Sequence, residues 1–154
     1  GDKATLLGID MQNENQIKGH CLCSSVSIVI NKTPETFTVC HCENCRRWSG
    51  GIPMSINGGE SLSFIGSEYI SKYSSTDWAE RGFCSKCGTS LYFRLKKTNH
   101  YFLMLGLFGD LVSPKFELQE FIDCKPDFYS FENKTKTLTK SEAFNMLDNY
   151  LEKP

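Results

Sequence analysis

The chain has 154 residues, 40% hydrophobic, 12% aromatic and 23% charged, with a formal net charge of −1. That length suits one domain with a single core, and that composition belongs to a globular chain rather than a disordered one. The near-neutral balance gives no general attraction to nucleic acid or to an anionic membrane. No apolar run approaches the roughly 20 residues of a membrane-spanning helix, so neither is expected as a partner.

The first 14 residues are weakly patterned and are expected to be an N-terminal extension with partial disorder, followed by one domain over residues 15–154. Gly1-Asp2-Lys3-Ala4-Thr5-Leu6-Leu7 lacks the apolar run of a signal peptide. The chain begins at Gly1, so an upstream segment is expected to have been removed. A cytoplasmic, or also nuclear, location follows as an expectation.

Short strands separated by turn signals are expected along most of the chain. Ser24 to Ile30 alternates, with Val26, Ile28 and Ile30 on one face. Phe37 to Cys42, Ile52 to Ile56, Leu62 to Ile65 and Tyr69 to Tyr73 come next, then Ser90 to Leu95, His100 to Phe108 and Leu118 to Asp123. Glycines at 50, 51, 58, 59, 66, 88 and 109 punctuate them, which suggests antiparallel meanders. Glu132 to Thr137 is polar and is expected to be a loop. Thr139 and Glu142 then form a capping-box pattern, and Phe144, Leu147, Tyr150 and Leu151 recur at helical spacing. This C-terminal helix is expected to serve packing.

Seven of the eight cysteines fall in three groups: Cys21 with Cys23; Cys40, Cys42 and Cys45; and Cys84 with Cys87, followed by Gly88. Tight clusters in a chain long enough to form its own core favour metal ligation over disulfides. Zinc takes four tetrahedral ligands and favours thiolate sulfur. Four ligands close a structural site, and three leave a position open.

The most economical grouping gives one ion to Cys21, Cys23, Cys84 and Cys87, and a second to Cys40, Cys42 and Cys45 in one contiguous loop. Spacing alone also permits Cys42, Cys45, Cys84 and Cys87 as a ribbon-like site, with Cys21, Cys23 and Cys40 left over. One structural zinc with spare thiols is a third possibility. Three thiolates with Zn²⁺ carry a formal charge of −1. Such an ion acidifies water less than one held by neutral histidines, and it exchanges soft ligands readily, so thiol chemistry is favoured over hydrolysis.

Three stretches together resemble the glutathione-dependent formaldehyde-activating enzyme family, which also includes the centromere protein V-like proteins. They are Gly19-His20-Cys21-Leu22-Cys23, the segment from Cys40 to Gly50 with Glu43-Asn44 and Arg46-Arg47-Trp48-Ser49 around Cys45, and the segment from Arg81 to Leu91 with Phe83-Cys84-Ser85-Lys86-Cys87. The likeness runs from about Ile17 to Tyr129. It implies a mainly β fold, the β-tent, of antiparallel sheets pinned by zinc. It also implies two Zn²⁺ per chain: a structural ion on Cys21, Cys23, Cys84 and Cys87, and a catalytic ion on Cys40, Cys42 and Cys45. The implied activity is carbon–sulfur lyase or synthase chemistry on a thiol–aldehyde adduct such as S-hydroxymethylglutathione, with glutathione as the small thiol substrate. Ser24 stands where many members have Gly, and Glu120-Phe121-Ile122 stands where many have His-Ile-Trp.

Arg46 or Arg47 could hold a substrate carboxylate through bidentate hydrogen bonds, against the reading of a solvated basic turn. Trp48 could wall the pocket or pack in the core. His41 lies between two proposed ligands, and an extended backbone turns its side chain away from them, so support or packing is expected rather than ligation. His20 is expected at the rim, His100 in a structural role, and Cys124 as a buried free thiol. The competing functions are a non-enzymatic, zinc-stabilised protein-binding module and a redox or metal-buffering role for the Cys-x-x-Cys pair.

Overall fold

Strand β1 (Ile17–His20) and its successors β2 (Ser27–Ile30), β3 (Thr36–Cys40), β4 (Met54–Gly59), β5 (Leu62–Ile65), β6 (Ile70–Tyr73), β7 (Ala79–Cys84), β8 (Ser90–Leu95), β9 (His100–Met104), β10 (Lys115–Glu120) and β11 (Lys136–Leu138) make a mainly β protein. Among the described residues two α-helices accompany them, α1 (Glu43–Ser49) and α2 (Lys140–Glu152). The computed structural model describes residues 16–152, so the expectation for the N-terminal extension lies outside the described residues. None of the described helices is long and apolar enough to cross a membrane.

A three-stranded sheet in the order β1-β2-β5 packs with an eight-stranded sheet in the order β11-β10-β3-β4-β9-β8-β7-β6. All four residues of β2 are buried, because it is the central strand of the small sheet, so the one-faced reading of Val26, Ile28 and Ile30 gives only half of its environment. The shared core contains Val26, Ile28, Ile56, Leu91, Tyr92, Leu103 and Phe108, together with Cys21 and Cys84. Fully burying each large apolar side chain contributes about 1.5–3 kcal/mol. Tyr92 stands edge-on to Tyr101 with ring centroids 4.9 Å apart, and across the strand pair it lies over Gly82. A Cβ at Gly82 would fall 2.3 Å from the Tyr92 ring, so only glycine leaves room for that ring.

Pairing is antiparallel as expected, except at one end of the large sheet, where β10 runs parallel to both β3 and β11. The polar segment read as a loop thus contributes β11, which gains its place from backbone hydrogen bonds at the sheet edge rather than from burial. Strands β1 and β7 were not anticipated. In β7, Glu80 and Arg81 are buried and interrupt the apolar pattern. The expected strand from His100 to Phe108 ends at Met104 and continues as a 3₁₀ segment, Leu105–Leu111. The expected strand from Leu118 to Asp123 stops at Glu120, where Phe121 turns left-handed at φ 56°.

The capping box at α2 forms as expected. Thr139 N donates to Glu142 Oε1 at 2.9 Å, and Glu142 N donates to Thr139 Oγ1 at 3.2 Å. Phe144 meets Phe121 edge-on at 5.6 Å, which ties the helix to the segment after β10.

Candidate metal centres and active site

The turn after β1 and the turn after β7 each deliver two cysteines to one point. Cys21 N donates to Val26 O at 3.0 Å, and Ser24 N donates to Cys21 O at 3.0 Å. Ser24 takes the left-handed conformation at φ 66°, which is why glycine suits this position. On the other turn, Gly88 N donates to Cys84 O at 2.8 Å, with Gly88 left-handed at φ 78°. Leu22 N reaches Thr89 Oγ1 at 3.1 Å and joins the two turns.

The Sγ atoms of Cys21, Cys23, Cys84 and Cys87 all lie within 4.8 Å of one another. Cys21 to Cys23 is 3.7 Å and Cys23 to Cys84 is 3.8 Å. A tetrahedral ion with metal–sulfur bonds of about 2.3 Å has sulfur–sulfur edges of about 3.8 Å, whereas a disulfide needs about 2.05 Å. All eight cysteines are free. Hydroxyls support the thiolate form here: Thr89 Oγ1 is 3.1 Å from Cys87 Sγ and lowers its pKa to about 5, and Ser25 Oγ is 3.3 Å from Cys23 Sγ.

The second set is Cys40, Cys42 and Cys45, again with sulfurs mutually within 4.8 Å. This grouping answers the question that spacing left open: the ribbon-like set of Cys42, Cys45, Cys84 and Cys87 does not form. The expected contiguous loop is instead a strand end and a helix. Cys40 closes β3, and Cys42 is the N-cap of α1, accepting from Cys45 N at 3.3 Å. A helical turn brings Cys45 back beside Cys42, and Gly50, left-handed at φ 77°, ends the helix.

The three thiols share charge unequally. Cys45 is held down to about 3 by hydrogen bonds from Cys40 and Cys42, with the Arg81 guanidinium assisting. Cys40 is pushed well up by its hydrogen bonds to Cys42 and Cys45 and by burial.

His41 points the other way, as expected for an extended backbone. Its ring is fully buried, with Nδ1 2.6 Å from Tyr129 Oη and Nε2 2.8 Å from Gln119 Oε1. An amide oxygen only accepts, so Nε2 donates to Gln119 and Nδ1 accepts from the Tyr129 hydroxyl. Burial lowers the His41 pKa and keeps it neutral. Its backbone N–H donates to Glu120 O at 3.0 Å, locking the cysteine segment to β10.

Of the expected substrate contacts, Arg47 forms an exposed ion pair with Glu43 at 2.7 Å, within its own helix. Arg46 Nε donates to His41 O at 2.9 Å. Trp48 lines an open cavity of about 530 Å³ with Lys72, Tyr73, Phe83, Gly88 and Ser90. Cys124 is half-buried rather than buried. His20 is exposed at the first turn, and His100 Nε2 lies 2.6 Å from Asn57 Oδ1.

Two site residues escaped the sequence reading. Arg81 is 6% exposed, and its Nη2 lies 3.5 Å from Cys45 Sγ. Glu120 lies opposite Cys40 in the β3–β10 register, and its carboxyl is pushed up by burial and by the Cys42 charge. Neither position stands near Cys40–Cys45 in sequence; strand pairing brings Glu120 there, and the contact of β7 with α1 brings Arg81.

The model of the glutathione-dependent formaldehyde-activating enzyme family matches residues 16–124, a span that holds both cysteine sets. An uncharacterized lyase of Schizosaccharomyces pombe is 35% identical over 133 residues, covering 86% of this chain and 97% of that protein. The chain belongs to the glutathione-dependent formaldehyde-activating enzyme family. Membership makes it an enzyme of the lyase class, with the substrate left open. A Halomonas elongata protein, provisionally named a glutathione-dependent formaldehyde-activating enzyme, is 29% identical over 130 residues, covering 77% of this chain and 82% of its own. The crystal structure of a Rhodobacter sphaeroides protein shares the fold, with a TM-score of 0.50 at 23% identity, covering 65% of this chain and 99% of that one.

Proposed function

We propose that this family member is a zinc-dependent carbon–sulfur lyase or synthase with two Zn²⁺ per chain. It would make or break the bond between a small thiol, glutathione being the first candidate, and an aldehyde, as in S-hydroxymethylglutathione. In this reading the two sheets form a β-tent pinned by the ion on Cys21, Cys23, Cys84 and Cys87. The observation that carries it is the unequal division of sulfurs, four in one set and three in the other. The sulfur spacing near Cys23 fits a tetrahedral ion, and an all-thiolate donor set suits zinc.

Bound at Cys40, Cys42 and Cys45, zinc supplies a soft Lewis-acidic centre with one position open to a thiol. The protein does the rest. The α1 turn holds Cys42 and Cys45 in register with Cys40. Trp48, on the helix that carries Cys45, lines an open cavity with Phe83 and Ser90 that would take the body of the substrate. Arg46, fixed through Nε to His41 O, offers its terminal nitrogens to a carboxylate, while Arg47 would have to leave Glu43 to do so. In the synthetic direction the sulfur–carbon bond forms, the carbonyl π bond opens, and the thiol proton passes to the new hydroxyl. Nothing is oxidised or reduced.

Because thiol and aldehyde also combine without enzyme, the test is exchange-rate NMR on glutathione with formaldehyde, with and without zinc-loaded protein. Acceleration that disappears in Cys42→Ser and after chelation supports the proposal. Full zinc and full acceleration in Cys42→Ser would overturn it.

A further inference from the structure

Arg81 carries a positive charge into a place where charge is costly. It lies in β7, opposite Phe93 of β8 and Tyr73 of β6. Its guanidinium carbon is 5.3 Å from the centre of the Trp48 ring and 5.1 Å from that of Phe93, so it is sandwiched between aromatic faces. The neighbouring Glu80 does not neutralise it, because Glu80 pairs with Arg94 at 2.8 Å. Among the described residues Arg81 makes no ion pair with a carboxylate. A buried cation without a counter-charge costs several kcal/mol, and aromatic faces recover only part of that. The nearby negative charge is the sulfur of Cys45, 3.5 Å from Nη2.

From this placement we infer that Arg81 is a positioning residue. It enables the three-cysteine site to accept a fourth, anionic sulfur. The inference rests on the proposal above that this site holds a divalent ion with an open position. Three thiolates and a divalent ion sum to −1, and a bound substrate thiolate would take the site to −2. Arg81 brings those sums to zero and −1. The four-cysteine set has no such cation within hydrogen-bonding reach among the described residues. It already has its full complement of sulfurs and needs no further anion. Arg81 also fixes Trp48, so one side chain sets both the charge of the site and the position of the cavity wall.

The test uses the full chain loaded with Co²⁺, whose visible spectrum reports each added sulfur. The protein is titrated with 2-mercaptoethanol, which brings no charge other than its thiolate, and separately with imidazole, which brings none. In Arg81→Met, thiol affinity is expected to fall about tenfold while imidazole affinity stays within about twofold, and Arg81→Lys is expected to recover most of the loss. Equal loss for both ligands would show a merely structural role and overturn the inference, as would no loss for either. Should Arg81→Met not fold, Trp48→Leu, which removes one face of the sandwich, is expected to weaken thiol binding about threefold with imidazole unchanged. Its failure to do so counts equally against the inference. A wild-type protein that takes up a single Co²⁺ and no thiol would end the underlying functional reading instead.

Discussion

The imidazole of His41 donates through Nε2 to Gln119 Oε1 at 2.8 Å, so it is engaged by β10 rather than by the thiols of Cys40 and Cys42. The residue between two ligands is therefore a rivet. It fastens the cysteine segment to β10, and the hydroxyl of Tyr129 holds its other nitrogen. His41→Ala leaves a cavity and takes the partner from the buried Gln119 Oε1 and the half-buried Tyr129 hydroxyl. The expected cost is about 3 kcal/mol, with faster metal loss from the three-cysteine site alone. Thermal melting and chelator competition measure both. Unchanged metal retention would mean that the rivet does not reach the sulfurs.

The two cysteine sets are expected to differ in what they support. Cys21 and Cys84 are fully buried in the shared core, so an ion held there and the fold are expected to stand or fall together. Cys84→Ser should lower the melting temperature by about 10 °C or more, while Cys45→Ser should change it by only about 3 °C. Equal effects would contradict the division into a structural and a working site.

Gly82 sets how closely Tyr92 can pack on β7. Gly82→Ala forces the ring aside in a filled core, at an expected cost of about 2–3 kcal/mol. Denaturant melts on the metal-loaded protein provide the check. A neutral substitution would show that the ring has room to move.

Glu80 and Arg94 form a largely buried pair at 2.8 Å beside Arg81. The Arg94 hydrogen bond holds the Glu80 carboxyl below its ordinary 4.5. A carboxyl lowered in the folded state stabilises above its unfolded pKa, and that stability is lost as pH falls through the folded value. Glu80→Gln should therefore cost about 2 kcal/mol at neutral pH, and the gap to wild type should close as pH drops below about 4.5. Comparing the two proteins removes the acid loss of metal, which is common to both. A gap that persists in acid would show that the pair's charge contributes nothing.

Much of the site was legible because ligand spacing is local. Cys40, Cys42 and Cys45 share one strand end and one helical turn, and the Cys84–Cys87 turn is closed by Gly88. The partition preferred on economy is the one the sulfurs form, although spacing alone does not say which turns meet and left the ribbon-like set open. Arg81 and Glu120 were hidden for a similar reason: Glu120 reaches the site by pairing of β10 with β3, and Arg81 by side-chain packing of β7 against α1, each across a long stretch of chain. Helix α1 was missed because seven residues carry too little period to separate a helix from a loop, and its cap is a cysteine rather than Ser, Thr, Asp or Asn. The parallel placement of β10 has no local signature at all.

One chain is expected to hold two zinc ions, one closed by four sulfurs and one held by three and open to a thiol. Native mass spectrometry of zinc-replete protein, purified without chelator and compared with Cys45→Ser, tests it most directly. Two ions in the wild type, one in the variant, and a glutathione adduct only on the two-zinc species are the expected results. One ion in both, unchanged when zinc is added back, would contradict the account and leave the three sulfurs as spare thiols.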